Sequence, residues 1–508
     1  MSGSWGRVAG VPRRAKPAAL SRHWKAAVLA AAGLVTMTGT TAVAGMADAE
    51  AAGVKPASTA RDDTAETGRG GGDEGKEKPT ASKGDEGKER DRHKGEEGGG
   101  EEHRHGYGHG DEGYGHKKRH EDHGGGKRYV GCDPADLVAA FVDLNESRGG
   151  TLVLAKDCTY TLTTSQDGNG LPEIVQPVTV HGNGSTIARA ANADRFRIFE
   201  VGAGGDLRLR DLTLTRGEAE FEQDGGAIRV SPAGRLDLGH VDVKSNKTAD
   251  DDNDEGGGLF NAGVARVRDS SFSRNWATFA SAIGNHGKLE IADSRITRNA
   301  SEGFAAILNE EGATVAIRGS LLSHNTSGDG GALHNHGVAE LDKSALTYNF
   351  ASLHGGAIDT DGGPLYLRDS VVKGNVAVES GGGITTDQPS FVVEGSTIAD
   401  NAVTAEDGAG GGIYLLSPPG VAIRDSKITG NQAPGNGARG GGIFVDSNDF
   451  ELSPLALTDS TVKDNLSDEP AGGIHNRGEV TAHGKVRIID NVPTNCEGSE
   501  NAVPGCFG

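Results

Sequence analysis

The sequence predicts an all-β solenoid, a parallel β-helix of about 12–13 coils, and three observations predict it. The first is an asparagine that recurs at Asn246, Asn275, Asn299, Asn325, Asn349, Asn375, Asn401, Asn431, Asn465 and Asn491, with Gly217 in the slot before them. Its spacings run from 24 to 34 residues, the range of repeat architectures. The second is a set of aliphatic residues at fixed offsets. Three before each asparagine stand Val243, Phe272, Ile296, Leu322, Leu346 and their successors, and eight before stand Val267, Ile291, Ile317 and Leu341. After a glycine-rich turn come Ile228, Leu259, Ile283, Ile307, Leu333, Ile358 and the rest of that series. The third is context: each aliphatic sits in a short run with polar neighbours at period two, too glycine-rich for a helix. A single coil cannot bury its apolar side, so the coils must stack on one another.

In chain order, residues 1–25 are basic, an Ala-rich apolar run spans Ala26 to Val43, and Ala-x-Ala options follow at Ala42–Ala44 and Ala47–Ala49. This predicts a signal peptide over 1–49; Gly33, Gly39 and the threonines make the run a poor retained anchor. The pair Arg13-Arg14 is followed by Ala15, Lys16 and Pro17, which does not favour twin-arginine export. Residues 1–49 carry six Lys/Arg and one acid, so their removal takes the formal net charge from −21 to −26. Such a surface argues against nucleic acid and suits cations. No transmembrane segment is expected after cleavage, and nothing fixes the oligomeric state.

Residues 50–127 are rich in Gly, Glu, Asp, Lys, Arg and His, with almost no aliphatic side chains after Val54. A segment of this kind cannot offset its chain entropy by burial and is expected to be a disordered linker. His103, His105, His109, His116, His120 and His123 offer weak zinc, copper or nickel chelation without a fixed geometry. No cofactor is required; calcium and weakly held zinc are the ions the composition admits.

The solenoid is assigned to 128–495 and a tail to 496–508. Leu137, Val138, Phe141, Val142 and Leu144 fall at helical spacing after Asp133-Pro134, a cap and first-turn proline. This short helix would cover the open end of the first coil. The cysteines are Cys132, Cys158, Cys496 and Cys506. Four cysteines allow three pairings, but in a rod of about thirteen coils at ~4.8 Å each only sequence neighbours meet. Cys132–Cys158 and Cys496–Cys506 are therefore expected, and export supplies the oxidising compartment they need.

The turns Gly225-Gly226-Ala227-Ile228, Gly330-Gly331-Ala332-Leu333 and Gly355-Gly356-Ala357-Ile358, with Gly-Gly-Gly-Ile at 381, 410 and 440 and the Phe-x-x-Asn of Phe272–Asn275, resemble the repeats of polymorphic outer membrane proteins. More broadly the chain resembles the pectin-lyase-like right-handed β-helix superfamily over about 130–495. The resemblance implies a right-handed coil and, for surface members, adhesion. Those members export themselves through a C-terminal barrel; the sequence up to Gly508 holds none, so that route is not implied.

Candidate chemistry lies beside the glycine-turn ladder. Asn261, Asn285, Asn309, Asn335, Thr360, Thr386 and Asn476, two residues on, should point inward and hydrogen-bond along the axis. Serines at 270, 294, 320, 344, 370, 396, 426 and 460 should form a similar structural ladder. Three residues on stand His286, Glu310, His336, Asp361 and Asp387, then Asp446 two coils further; one residue on are His334 and Asp359. At ~4.8 Å per coil, Glu310, His336, Asp361 and Asp387 would form one outward line. Neighbouring carboxylates beside an imidazole can share a proton or a calcium ion, or do acid–base work. Asp359, Asp361, Asp387 and His336 are the candidate catalytic group; Glu310, His334, Tyr414 and Phe444 are candidate binding residues, the last two with Leu415-Leu416 as an apolar strip. Against this, Asp and His are ordinary residues of a hydrated face. The run Asp250–Glu255 lacks the glycine and glutamate of a calcium loop and reads as an exposed insertion. Trp276 is the one solenoid tryptophan, which argues against a sugar-processing groove.

These observations favour an extracellular or bacterial cell-surface module for adhesion, binding or structure, whose partner is a glycan or other surface component. The alternative is a polysaccharide lyase or glycoside hydrolase acting on acidic glycans. A third is metal capture by the linker.

Overall fold

Every coil turns at corners where the backbone enters the left-handed region, and these corners set the architecture. The chain is seen as a computed structural model that describes residues 127–249, 254–387, 390–416, 420–447 and 454–507. The segment read as a signal peptide and residues 50–126 of the expected linker, with His103, His105, His109 and His116, lie outside the described residues. One corner precedes the serine ladder, at Asp269, Asp293, Gly319, Lys343, Asp369, Gly395, Asp425 and Asp459, with φ between 46° and 59°. A second precedes the asparagine ladder and includes Arg274, Arg298, His324 and Tyr348, with φ of 54° to 57°. A side chain in that region costs about 1 kcal/mol or more, so each corner needs compensation.

The ladders supply it. Asn349 donates its backbone N–H (2.9 Å) and its Nδ2 (2.9 Å) to Oδ1 of Asn375, and Nδ2 also reaches the Leu322 carbonyl at 3.1 Å. Asn325 treats Oδ1 of Asn349 in the same way at 3.0 Å. The pattern runs from Gly217, whose N–H meets Asn246, to Asn491, which meets Asn495. The serines do likewise: the N–H of Ser344 meets Oγ of Ser370 at 3.1 Å. A third corner uses glycine at 225, 256, 330, 355, 381, 410 and 440. The glycine after it is required for a different reason, since a Cβ on Gly356 would sit 2.1 Å from the Gly382 carbonyl oxygen.

Between corners the chain forms parallel strands in sheets of 24, 11 and 8 strands among the described residues. The result is a right-handed β-solenoid of about 13 turns. In the 11-stranded sheet Ile283, Ile307, Leu333, Ile358, Ile384, Ile413, Ile443 and Ile474 stand in register, all at 0 % exposure. Beside them the inner amides form a second chain: Asn261 to Asn285 (2.8 Å), to Asn309 (2.7 Å), to Asn335 (2.8 Å), to Thr360 (3.1 Å). This chain stops where threonine replaces asparagine; the buried Oγ1 of Thr386 has no hydrogen-bond partner.

A strand over Lys127–Val130 pairs with Gly150–Leu154, and helix α1, Pro134–Glu146, lies between them. Asp133 caps the helix by accepting from the Ala135 N–H at 2.9 Å. Its inner face buries Leu137, Ala140, Phe141 and Leu144, with Phe141 edge-on to Phe199 at 5.7 Å. Val142, expected on the apolar face, is 39 % exposed, because that position turns away from the coil. Both expected disulfides are present, Cys132–Cys158 and Cys496–Cys506. No helix among the described residues is long and apolar enough to cross a membrane.

Asn349→Ala removes the shared acceptor of the Asn325 N–H and Nδ2, and one donor to the Leu322 carbonyl. At ~1–3 kcal/mol for each buried group left unpaired, destabilisation of roughly 3 kcal/mol is expected in urea unfolding. A midpoint equal to that of the wild type would show that the corners hold without their asparagines.

Candidate functional site

In the 11-stranded sheet the first and third residues of each strand point into the core, so the second faces outward. The second positions in register are Arg229, Phe260, Gly284, Leu308, His334, Asp359, Thr385, Tyr414, Phe444 and His475. Just beyond the third positions stand His286, Glu310, His336, Asp361 and Asp387, and Asp361 pairs in register with Asp387. Leu416 then interrupts the acids before Asp446.

This outer face is less hydrated than the sequence implies. His334 is 3 % and Asp359 8 % exposed, because the loops leading into the 11-stranded sheet fold over them. Phe304 from one such loop stacks on His334 at 4.3 Å, with Phe279 of the preceding coil stacked on Phe304 at 5.1 Å. Asp361 remains exposed, and Glu310, His336 and Asp387 are half-buried.

Four of these groups stand in a line of close contacts, of which the central one is a hydrogen bond. Oε2 of Glu310 lies 3.6 Å from Nδ1 of His336. Nε2 of His336 lies 2.9 Å from Nε2 of His334, and Nδ1 of His334 lies 3.0 Å from Oδ2 of Asp359. The last contact is close but not aligned for a hydrogen bond. Two facing Nε2 atoms share one proton, so the tautomers are coupled. With His336 protonated beside Glu310, its Nε2–H donates to His334, whose own proton then sits on Nδ1 facing Asp359.

The carboxylates are pushed in opposite directions. Glu310 is held below its ordinary range, chiefly by its contact with His336, and His336 is raised by Glu310 in turn. Asp387 is raised by burial and then by Asp361 and Asp359. Asp329, whose Oδ1 accepts the His354 N–H at 3.1 Å, is raised by burial and by Asp359.

Tyr414 and Phe444 do come together, stacked at 5.5 Å, and His475 continues the stack at 4.9 Å. Phe444 is only 4 % and Leu415 0 % exposed, so of the strip expected from the sequence Tyr414 and Leu416 alone are partly exposed. The Tyr414 hydroxyl donates to Asp446 at 2.8 Å, and burial raises the phenol far above its usual range.

Sequence reasoning missed Glu255 and Phe304. Glu255 was expected in an exposed insertion, yet it is 9 % and Asp254 3 % exposed; residues 250–253 lie outside the described residues. Glu255 folds back over the sheet, and its Oε2 meets Nε2 of His286 at 2.8 Å. Phe279 and Phe304 are one coil period apart, a signal that could have placed them together. Clefts at Asp206, Arg208, Arg235 and Arg266 and at Arg318, Glu340, Asp342 and Arg368 lie on the 24-stranded sheet, away from this line.

Residues 305–492 match the family described as the right-handed β-helix region. No curated protein matches the chain in sequence. Among solved structures, the periplasmic alginate epimerase AlgG is 10 % identical over 69 % of this chain and 88 % of its own, with TM-scores of 0.33 and, for a mutant form, 0.31. Tailspike protein 3 of bacteriophage CBA120 is 13 % identical over 74 % of this chain and 62 % of its own, with a TM-score of 0.37.

The Glu310–His336 pair gives a pH-dependent contribution to stability. The raised His336 contributes below its unfolded value of 6.5 and loses that contribution as pH rises through its folded value; the lowered Glu310 contributes above 4.5 and loses it as pH falls through its folded value. The difference in urea midpoint between wild type and Glu310→Gln should be largest between these two values and shrink on both sides. A difference independent of pH would mean that the two groups do not interact as ions.

Proposed function

Because the chain is a right-handed parallel β-helix, we propose that it serves as an exported module that binds an extended ligand along the outer face of its 11-stranded sheet. The ligand class is a glycan or another hydroxyl-rich component of the extracellular or cell-surface environment. One observation carries the reading: Glu310, His336, Asp361 and Asp387 occupy equivalent positions on consecutive coils of a rigid stack. A polymer laid along the axis would meet one polar rung after another, and carboxylates are good acceptors for hydrogen bonds donated by hydroxyl groups. The acidity of the line favours a neutral polymer, or an acidic one bridged by cations. The disulfides and the signal-peptide-like start of the sequence support export, and the Gly/Glu/Lys/His-rich linker would act as a tether.

A second reading, a polysaccharide lyase or glycoside hydrolase, is favoured by one specific feature. Carboxylates pushed apart in acidity are how a single site obtains both an acid and a base. Asp387, raised by burial, would donate a proton; Asp361, in register with it on the preceding coil, would be the second carboxylate of the site; the hydrogen bond with His334 would hold the His336 imidazole in orientation.

The test is a glycan array probed with the mature protein and with Asp361→Asn/Asp387→Asn. Wild type should bind a subset of glycans, and the double variant should bind at least about tenfold more weakly, ~1.4 kcal/mol. Equal binding by both proteins would sink the proposal. Depolymerisation of a bound polysaccharide by wild type but not by the variant would select the enzyme.

A further inference from the structure

Glu255, His286 and Glu310 come from three successive coils, and one donor atom from each lies within 4.8 Å of the other two. We propose that this trio is a binding site for a first-row divalent transition ion of the zinc type, held by one imidazole and two carboxylates. The inference is independent of glycan binding, although it shares Glu310 with the outer line.

The fold has made room for this arrangement. Gly284 occupies the outward second position of its strand, where the coils on either side carry Phe260 and Leu308. A Cβ on Gly284 would lie 2.6 Å from Oε2 of Glu255 and 2.9 Å from its Cβ. The missing side chain is therefore the space into which Glu255 lays its carboxylate, flat on the sheet and against His286. Glu255 is also fixed at its backbone, where its N–H donates to Oδ1 of Asp224 at 3.1 Å. The His286 ring is held from the other side by Phe260, 4.9 Å between centroids.

The donor set selects the class of ion. Calcium and magnesium take oxygen ligands, whereas an imidazole nitrogen with carboxylates suits zinc and its first-row neighbours. Metal–ligand distances of about 2.0–2.2 Å place the ligand atoms of a tetrahedral ion roughly 3.4 Å apart. The 2.8 Å hydrogen bond between His286 and Glu255 would open by about 0.6 Å to reach that spacing. Rotation of the Glu310 side chain brings the third ligand in. The side chains of His286 and Glu310 are 37 % and 27 % exposed against 12 % for Glu255, so the ion would enter from their side and keep an open position there.

The experiment is thermal unfolding of the full chain with and without ZnCl2, for wild type, His286→Ala and Glu255→Gln. Linker histidines are present in all three proteins, so the difference reads the solenoid site alone. An ion held by the folded state raises the folded-to-unfolded ratio about a hundredfold at a hundred times its Kd. Wild type should gain Tm with Zn2+, both variants should gain little or nothing, and Ca2+ at the same concentration should give no comparable gain. The visible absorption of Co2+ bound to wild type should weaken in His286→Ala. If His286→Ala does not fold, His286→Gln, which can still hydrogen-bond Glu255, takes its place. An equal gain with Zn2+ in all three proteins, no gain in any, or an equal gain with Ca2+ would overturn the proposal.

Discussion

The structure depends on one constraint: a backbone N–H exposed by a left-handed corner must be paired inside a stack that excludes water. An unpaired amide there is costly, and neither strand ladder reaches it at the bend. The carboxamide of an asparagine one coil along answers this by presenting a single oxygen to both the N–H and the Nδ2 of the residue below, while its own Nδ2 pairs with a carbonyl. Because the side chain spans only one coil, the solution forces coils into exact succession along the axis. Corners that tolerate Arg274 and Tyr348 at positive φ show that the ladder, rather than local propensity, decides the bend.

The groups of the candidate site inherit that register. Residues one and three positions after the ladder isoleucine cannot wander, since the strand is pinned by its inward neighbours on both sides. Acids and imidazoles that are distant in sequence are thereby stacked at the spacing of a sheet. The line of contacts through Glu310, His336, His334 and Asp359 crosses only three coils, yet it runs from an open edge to a buried carboxylate. The coupled imidazole tautomers follow from this geometry, because two facing nitrogens 2.9 Å apart hold one proton between them.

The periodic part of this design was legible in the residues. Asparagines, serines and aliphatics at fixed offsets led to the stack, its inward ladders, the capping helix and both disulfides. What escaped was set by loops of irregular length. Phe304, Asp329 and the backward fold of Glu255 lie in the segments leading into the 11-stranded sheet, where spacing varies from coil to coil, so period-two reasoning placed His334 and Asp359 in water although loop atoms cover them. The place Gly284 leaves for Glu255 was likewise invisible, since it lies in the side chain that Gly284 lacks.

The most direct measurement is hydrogen exchange at the corner amides of Asn325, Asn349 and Asn375. These residues lie between strands, each just before a two-residue strand segment, where an ordinary turn amide would exchange early. The account predicts protection equal to that of the neighbouring core strands, lost together with them on unfolding. Exchange at the rate of exposed turns, with the strands still protected, would contradict the claim that the asparagine ladder holds the solenoid together.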